Sequence, residues 1–140
     1  MRIGVPKEIK PQENRIGLTP DSVKTLVSEG HEVLVENNGG FEAGFDNDQY
    51  KNAGAKIIEK AADIFNDAEI IVKVKEPQKV EVEMIRENQI VYTYLHLAAA
   101  KELTEGLVKS KSINIAYETI TDDNGRLPLL APMSAVAGRM

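Results

Sequence analysis

The feature of this sequence that most constrains its fold is a regular alternation between short apolar runs and amphipathic stretches of about ten residues. The apolar runs are rich in valine and isoleucine, which favour β-strands. We predict strands over Arg2–Val5, Glu32–Glu36, Ala55–Ile58, Glu69–Lys75, Gln89–His96 and Ser112–Glu118. Neighbouring strands that are joined by helical crossovers run parallel, and such crossovers are right-handed in nearly all proteins. The alternation therefore predicts an α/β fold with an open, mostly parallel sheet covered by helices.

Helix signals fill the intervals between the predicted strands. Thr19 followed by Pro20 is typical of a helix N terminus, because the threonine side chain caps the first turn and proline lacks an N–H that would stay unpaired there. Gly30 is placed to end this helix. Further helices are predicted over 47–53, 61–65, 80–87, 98–111 and 130–140. Asn124-Gly125 predicts a tight turn, closing a small hairpin between 119–121 and 126–127.

Composition excludes several classes of protein. The 17 Lys and Arg against 22 Asp and Glu give a net charge of −5, which argues against a nucleic-acid partner. The absence of cysteine excludes a disulfide scaffold, a thiolate metal site and a cysteine nucleophile, and two histidines are too few for a His-rich metal centre. No apolar run approaches the roughly 18 residues of a membrane span. We expect a cytoplasmic protein without metal, membrane or nucleic-acid contacts.

Four polar residues stand where the predicted sheet is expected to bind a ligand. Arg15 lies in the loop after the first strand, and Lys75, His96 and Glu118 end three later strands. Ligands of open parallel sheets bind beyond the carboxyl ends of the strands. Arginine clamps a carboxylate, lysine polarises a carbonyl, and histidine moves protons near neutral pH. Together these residue types suit a small 2-oxo or 2-amino acid.

Each of these residues also has a purely structural interpretation. Arg15 lies in a charged loop and is exposed there in the simplest case, while Lys75 or its neighbour Lys73 faces solvent along the strand. His96 ends an apolar strand and then needs a polar partner, and Glu118 pairs with an arginine or lysine. The position that they share at the strand ends is what favours a site. The glycine-rich segment 39–44 lacks the spacing of a dinucleotide-binding loop.

The chain resembles the N-terminal part of bacterial alanine dehydrogenases over essentially all of its length. The resemblance is carried by MRIGVPKEIK (1–10), ENRIGLTP (13–20), VKVKEP (72–77), TYLHLA (93–98), IAYETI (115–120) and LPLLAPMSAVAGRM (127–140). Proton-translocating transhydrogenases and saccharopine-type dehydrogenases belong to the same broader family. They are similar in the opening motif more than in the segments around Lys75 and His96. The resemblance implies a Rossmann-like substrate domain, incomplete in this chain.

For the candidate residues, the resemblance implies specific roles. Arg15 and Lys75 are expected to bind the substrate carboxylate and its carbonyl or amine end, with Tyr94 lining the pocket. His96 is expected to be the general acid/base. Two cofactor contacts are implied near the nicotinamide end of NAD, at Met133 and Ser134, with Ser134 expected to form the hydrogen bond.

The implied reaction is the reversible NAD-dependent oxidative deamination of L-alanine to pyruvate and ammonia, by a homo-oligomer that is commonly a hexamer. Residues 1–130 are then the N-terminal catalytic, substrate-binding domain, and residues 131–140 begin the helix that leads to an NAD-binding domain. Since this last helix has no cap, we expect the chain to be a truncation that is inactive alone. Two alternatives remain: a fragment of a transhydrogenase subunit, and a regulatory α/β module that binds a carboxylate without chemistry.

Overall fold

The computed structural model describes residues 1–139, so Met140, at the end of the predicted last helix, lies outside the described residues. Within this range six strands form one sheet in the order β3-β2-β1-β4-β5-β6, and each neighbouring pair is parallel. The strands are β1 Arg2–Val5, β2 Glu32–Glu36, β3 Lys56–Ile58, β4 Ile70–Val72, β5 Ile90–Thr93 and β6 Ile113–Ala116. The predicted α/β fold with an open parallel sheet is confirmed.

Helices connect the strands. They are α1 Pro20–Ser28, α2 Asn47–Asn52, α3 Ala61–Asp67, α4 Lys79–Met84, α5 Lys101–Ser110 and α6 Leu130–Ala137, with single 3-10 turns at Phe41–Ala43, Leu97–Ala99 and Tyr117–Thr119. The predicted ends of α1 are confirmed: Thr19 Oγ1 accepts the N–H of Ser22 at 3.3 Å, and Gly30 follows the helix with a φ of 91°. None of the helices in residues 1–139 is long and apolar enough to cross a membrane.

The core lies on both faces of the sheet because side chains alternate along each strand. On β2, Leu34 packs into one buried cluster, whereas Val33 and Val35 pack into the other. The first cluster is closed by Phe65 of α3, and the second by Tyr50 of α2. Since helices cover both faces, the polar edge at the carboxyl ends of the strands is left as the surface for a ligand.

Four strands, β3 to β6, are shorter than predicted, and the early ends of β4 and β5 have the same cause. β4 ends at Val72 rather than Lys75, because the N–H groups of Val74 and Lys75 donate to the carboxylate of Glu8. β5 ends at Thr93 rather than His96, because the N–H groups of Leu95 and His96 donate to the carboxylate of Glu118. A side-chain acceptor competes there with the ladder of the sheet.

The predicted hairpin at 119–127 is also wrong in part. The tight turn forms, with the Gly125 N–H donating to the Asp122 carbonyl at 3.0 Å, but no strand flanks it in the described structure. The Asp122 carboxylate instead accepts the N–H groups of Asn124 and Arg126, both at 2.9 Å. These local bonds close the loop without a ladder. The predicted helix 98–111 is likewise divided at Ala100 into a 3-10 turn and α5.

Candidate active site

The candidate site lies at the carboxyl edge of the sheet, where the direction of the crossovers changes. From β1 the chain crosses to β2 on one side, while β4 lies on the other side of β1 and leads on to β5 and β6. Such a reversal opens a crevice at the strand ends, and ligands of doubly wound sheets bind in it. Arg15 follows β1, Lys75 follows β4 and His96 follows β5, so the structure places all three at this edge.

A glycine lets the long loop between β1 and α1 cross the end of β4. A Cβ atom at Gly17 would lie 2.5 Å from the carbonyl oxygen of Val72, so only glycine permits this approach. The crossing carries Arg15 from the β1 loop toward the segment that holds Lys75. The loop therefore assembles the two cationic residues from different strands.

We expect Gly17→Ala to destabilise the protein by about 1–3 kcal/mol, because the added methyl group would overlap the backbone carbonyl of Val72 at the end of β4. Urea unfolding measures the loss. Gly138→Ala is the control, since Gly138 ends α6 with an ordinary φ of −68°. A Gly17→Ala protein as stable as the control would show that the loop does not rest on β4 in solution.

Arg15 is held along one edge of its guanidinium by Glu13. Nε donates to Oε2 at 2.9 Å and Nη2 donates to Oε1 at 2.7 Å. This hydrogen bonding lowers the pKa of Glu13 and raises that of Arg15. The Glu13 side chain is 6% exposed whereas that of Arg15 is 53% exposed. Glu13 is thus the buried anchor, and the arginine projects from it into solvent.

The pair with Glu13 leaves Arg15 able to bind a second carboxylate. A guanidinium has five N–H donors, and the pair with Glu13 uses two of them on the Nε side. The end-on edge between Nη1 and Nη2 remains, and it matches a substrate carboxylate in two parallel hydrogen bonds. The charge of Lys75 also contributes to the lowered pKa of Glu13, after the larger effect of the Arg15 hydrogen bond. Lys75 and Arg15 therefore share one anionic neighbour.

The segment that carries Lys75 is fixed by a buried ionic network. Glu8 Oε1 accepts the Lys75 N–H at 2.9 Å, while Glu8 Oε2 accepts the Val74 N–H at 3.3 Å and lies 3.2 Å from Lys73 Nζ. Lys73 Nζ also lies 3.0 Å from Glu81 Oε2. Of the two lysines that follow β4, Lys73 points inward and is 1% exposed, and Lys75 is half-buried at the edge.

Glu81 ties this network to the start of α4. Its Oε1 accepts the Gln78 N–H at 2.9 Å, which completes a capping box, and its Oε2 pairs with Lys73. Burial raises the pKa of Glu81, and the charge of Lys73 opposes that rise. The lysine therefore keeps two buried carboxylates in place next to the candidate site.

His96 stands in a left-handed turn just beyond β5, with φ 51° and ψ 39°. Its side chain is exposed and its imidazole forms no hydrogen bond within residues 1–139, so the expected polar partner of the ring is not present there. Glu118 differs from expectation too. It pairs with no arginine or lysine in the described part of the chain, and instead accepts the N–H groups of Leu95 and His96.

Tyr94 connects β5 to the start of α6. Its hydroxyl donates to the Leu129 carbonyl at 2.9 Å, and its ring packs edge-on against Tyr117 at 4.8 Å between centroids. Tyr94 is also one of the neighbours that contribute to the raised pKa of Arg15, after the larger effects of Glu13. Tyr94 therefore joins the end of β5 to the start of α6 and to the turn after β6.

Met133 and Ser134 lie on α6, which packs beside the turn Tyr117–Thr119. Met133 is half-buried, and the exposed Ser134 hydroxyl bonds to no other group in residues 1–139. The structure describes no contact between these two residues and Arg15, Lys75 or His96. No group of three or more His, Cys, Asp or Glu side chains with the arrangement of a metal site occurs in the described range.

Sequence reasoning missed three glutamates of this edge. Glu8 and Glu13 belong to the loop after β1, and Glu81 belongs to α4. Glu13 carried a local signal, since it stands two residues before Arg15 in the sequence ENR. Glu81 carried a local signal only for the start of α4, three residues after Gln78, and not for its pair with Lys73. Glu8 carried none, because the N–H groups that it accepts lie more than 60 residues away along the chain.

Comparison with known proteins identifies the family. Residues 4–137 match the family described as "Alanine dehydrogenase/PNT, N-terminal domain". The chain belongs to this family. Over all 140 residues it is 51% identical to the alanine dehydrogenase of Staphylococcus epidermidis, and it spans 38% of the length of that protein. The resemblance drawn from the sequence motifs is confirmed.

Comparison with solved structures indicates the same family as comparison with sequences. The chain superposes on an L-alanine dehydrogenase with a TM-score of 0.96 at 52% identity, covering 99% of this chain and 38% of the other. It superposes on a transhydrogenase from Sinorhizobium meliloti with a TM-score of 0.80 at 28% identity, covering 86% and 36%. The alanine dehydrogenase branch is thus more similar in both sequence and structure.

Proposed function

We propose that this chain is the substrate-binding N-terminal domain of an NAD-dependent L-alanine dehydrogenase, which interconverts L-alanine with pyruvate and ammonia. The observation that carries the proposal is the unoccupied edge of the Arg15 guanidinium, anchored by Glu13 beside Lys75 in the crevice between β1 and β4. The 51% identity to an alanine dehydrogenase supports the choice of substrate.

Arg15 and Lys75 bind different groups of the substrate in this proposal. Arg15 takes the carboxylate on its end-on edge, which fixes the orientation of the molecule. Lys75, held through its own N–H by Glu8, presents its ammonium to the carbonyl oxygen of pyruvate. As ammonia adds to that carbonyl, negative charge develops on the oxygen, and a fixed cation stabilises it. Tyr94 closes the side of the pocket toward α6.

His96 moves the protons in this proposal. In the reductive direction the carbonyl oxygen leaves as water after ammonia has added, so a group at the site must supply and accept protons. An exposed imidazole with no competing hydrogen bond in the described structure is free to do so. An imidazole can both donate and accept a proton, so one group can serve both directions of the reaction.

NAD, when bound, supplies the hydride acceptor of the oxidative direction. The residues of this chain fit its nicotinamide end, because the Ser134 hydroxyl is exposed on α6 and unpaired within residues 1–139, with the half-buried Met133 beside it. In this proposal residues 1–130 form the catalytic domain and residues 131–140 lead to an NAD-binding domain. The enzyme acts in the cytoplasm as a homo-oligomer, a hexamer in the family pattern.

The test is an assay of the natural-length protein for NADH formation from NAD and L-alanine. We expect NADH to form only when alanine is present, and to be consumed when pyruvate and ammonia are added. Hydride exchange between two nicotinamide nucleotides without alanine would support the transhydrogenase alternative instead, which the similarity to the Sinorhizobium meliloti protein motivates. Alanine or pyruvate binding without turnover would indicate the regulatory module.

A further inference from the structure

We propose that Glu118 is a positioning residue that holds His96 in the geometry needed for proton transfer. The inference rests on the proposed function, in which His96 carries protons. Three features of the structure support it: the convergence of two backbone N–H groups on one carboxylate, the left-handed backbone of His96, and the anchoring of Glu118 itself.

The first feature is a small anion-binding nest at the end of β5. The N–H groups of Leu95 and His96 both donate to Glu118 Oε1 at 2.9 Å, and the Leu95 N–H also lies 3.2 Å from Oε2. Consecutive N–H groups point at one anion only when the chain bends through a particular pair of backbone conformations. The carboxylate therefore fixes the backbone at His96, and so the direction in which the imidazole leaves it.

The second feature is the backbone conformation of His96. Its φ of 51° and ψ of 39° lie in the left-handed region, which is unfavourable for a residue with a Cβ atom. Such a residue keeps this conformation only when its surroundings enforce it, and these residues cluster at functional sites. Since the imidazole itself has no partner within residues 1–139, the hydrogen bonds from the Leu95 and His96 N–H groups to Glu118 supply that enforcement.

The third feature is that Glu118 is itself firmly placed. It belongs to the turn Tyr117–Thr119, which directly follows β6, and Ala116 at the end of β6 pairs with Thr93 at the end of β5. Tyr117 is packed edge-on between Tyr92 at 4.1 Å and Tyr94 at 4.8 Å. The Glu118 carboxylate is thus held next to the turn after β5 by the neighbouring strand and by the packing of Tyr117.

The same arrangement recurs one strand away. At the end of β4, Glu8 accepts the N–H groups of Val74 and Lys75, as Glu118 accepts those of Leu95 and His96 at the end of β5. In both places the second N–H belongs to a residue of the proposed reaction. The two carboxylates therefore fix the backbone at Lys75 and at His96, the two residues of the proposed reaction that follow β4 and β5.

The experiment compares variants of the natural-length enzyme. Glu118→Gln keeps an amide oxygen that accepts both N–H groups, because both bonds go to one oxygen, whereas Glu118→Asp keeps the charge but is one methylene too short. Glu118→Ala removes the acceptor altogether. Glu69→Ala is the matched control, since the Glu69 carboxylate accepts the Arg2 N–H at 2.7 Å at the opposite edge of the sheet.

We expect Glu118→Ala and Glu118→Asp to lower kcat by about 10–100-fold, with the KM for pyruvate changed by less than about twofold, because a misplaced catalytic group slows the chemical step more than binding. Glu118→Gln is expected to retain most of kcat. Hydrogen–deuterium exchange of the 92–99 peptide should accelerate in the Ala and Asp variants and stay slow in Gln and in the control.

Two results would overturn the inference, and they differ from a failure of the proposed function. The first is an equal kcat in the Glu118→Gln and Glu118→Asp variants, which overturns the inference even if Glu118→Ala fails to fold. The second is fast hydrogen–deuterium exchange of the 92–99 peptide in the Asp variant together with an unchanged kcat. If instead His96→Ala leaves kcat unchanged, the proton-transfer role of His96 falls, and the positioning role falls with it.

Discussion

In the natural-length protein, His96→Ala is expected to lower kcat by about 10²–10⁴-fold while the KM for pyruvate changes little, which is the effect of removing a general acid/base. The imidazole contributes no hydrogen bond within residues 1–139 and is exposed, so its removal leaves the fold intact. Arg15 and Lys75, which bind the substrate in this proposal, keep their anchors on Glu13 and Glu8. Steady-state kinetics in both directions measures the change.

The control for this variant is the other histidine of the chain. His31 lies just before β2, at the amino edge of the sheet and away from the candidate site, with its Nδ1 atom buried. We expect His31→Ala to leave kcat unchanged. If His96→Ala retains full kcat, or loses activity only through a raised KM, the acid/base role is wrong and His96 is a binding or structural residue.

Much of the architecture was predictable because it follows from local pattern. The alternation of β-branched runs with amphipathic stretches gave the parallel sheet, and Thr19, Pro20 and Gly30 gave both ends of α1. Parallel strands present their carboxyl ends at one edge, which is why Lys75 and His96 were expected together with no knowledge of the strand order. The rule needs only the direction of each strand.

The ends of β4 and β5 were not predictable, for a physical reason. The β-branched pattern continues past Val72, yet the N–H groups of Val74 and Lys75 donate to Glu8, which lies 66 and 67 residues earlier in the chain. The end of β5 is set in the same way by Glu118, 22 or 23 residues later. A carboxylate distant in sequence leaves no trace in the local pattern of the strand that it ends.

Lys73 illustrates the same difficulty for burial. By sequence it is one of two lysines on a strand, and either was free to face solvent. In the structure it is 1% exposed between two glutamates that are themselves buried. A lysine is almost never fully buried unless it is paired, and its partners Glu8 and Glu81 come from a loop and a helix whose proximity only the fold creates.

The buried network around Lys73 leads to the largest stability effect that we expect. Lys73→Met keeps most of the side-chain volume but leaves the carboxylates of Glu8 and Glu81 buried without their cation. Removing one partner of a buried ionic group destabilises a protein by about 3–5 kcal/mol. Urea or thermal unfolding measures this loss. Lys56→Met is the matched control, because Lys56 pairs with Glu32 at 2.7 Å where both side chains are exposed, and little change is expected.

The loss of stability in Lys73→Met should depend on pH, because the variant changes the pKa of the buried Glu81. Burial already raises the pKa of Glu81 above its value in the unfolded chain, and Lys73 opposes that rise, so the variant raises it further. A carboxyl group with a raised pKa in the folded state binds its proton more tightly when folded, and stability falls as the pH rises through that pKa. The deficit should therefore be smallest near about pH 4–5 and grow toward neutral pH. A deficit independent of pH, or one no larger than that of Lys56→Met, would show that the glutamates are not held as buried anions by Lys73.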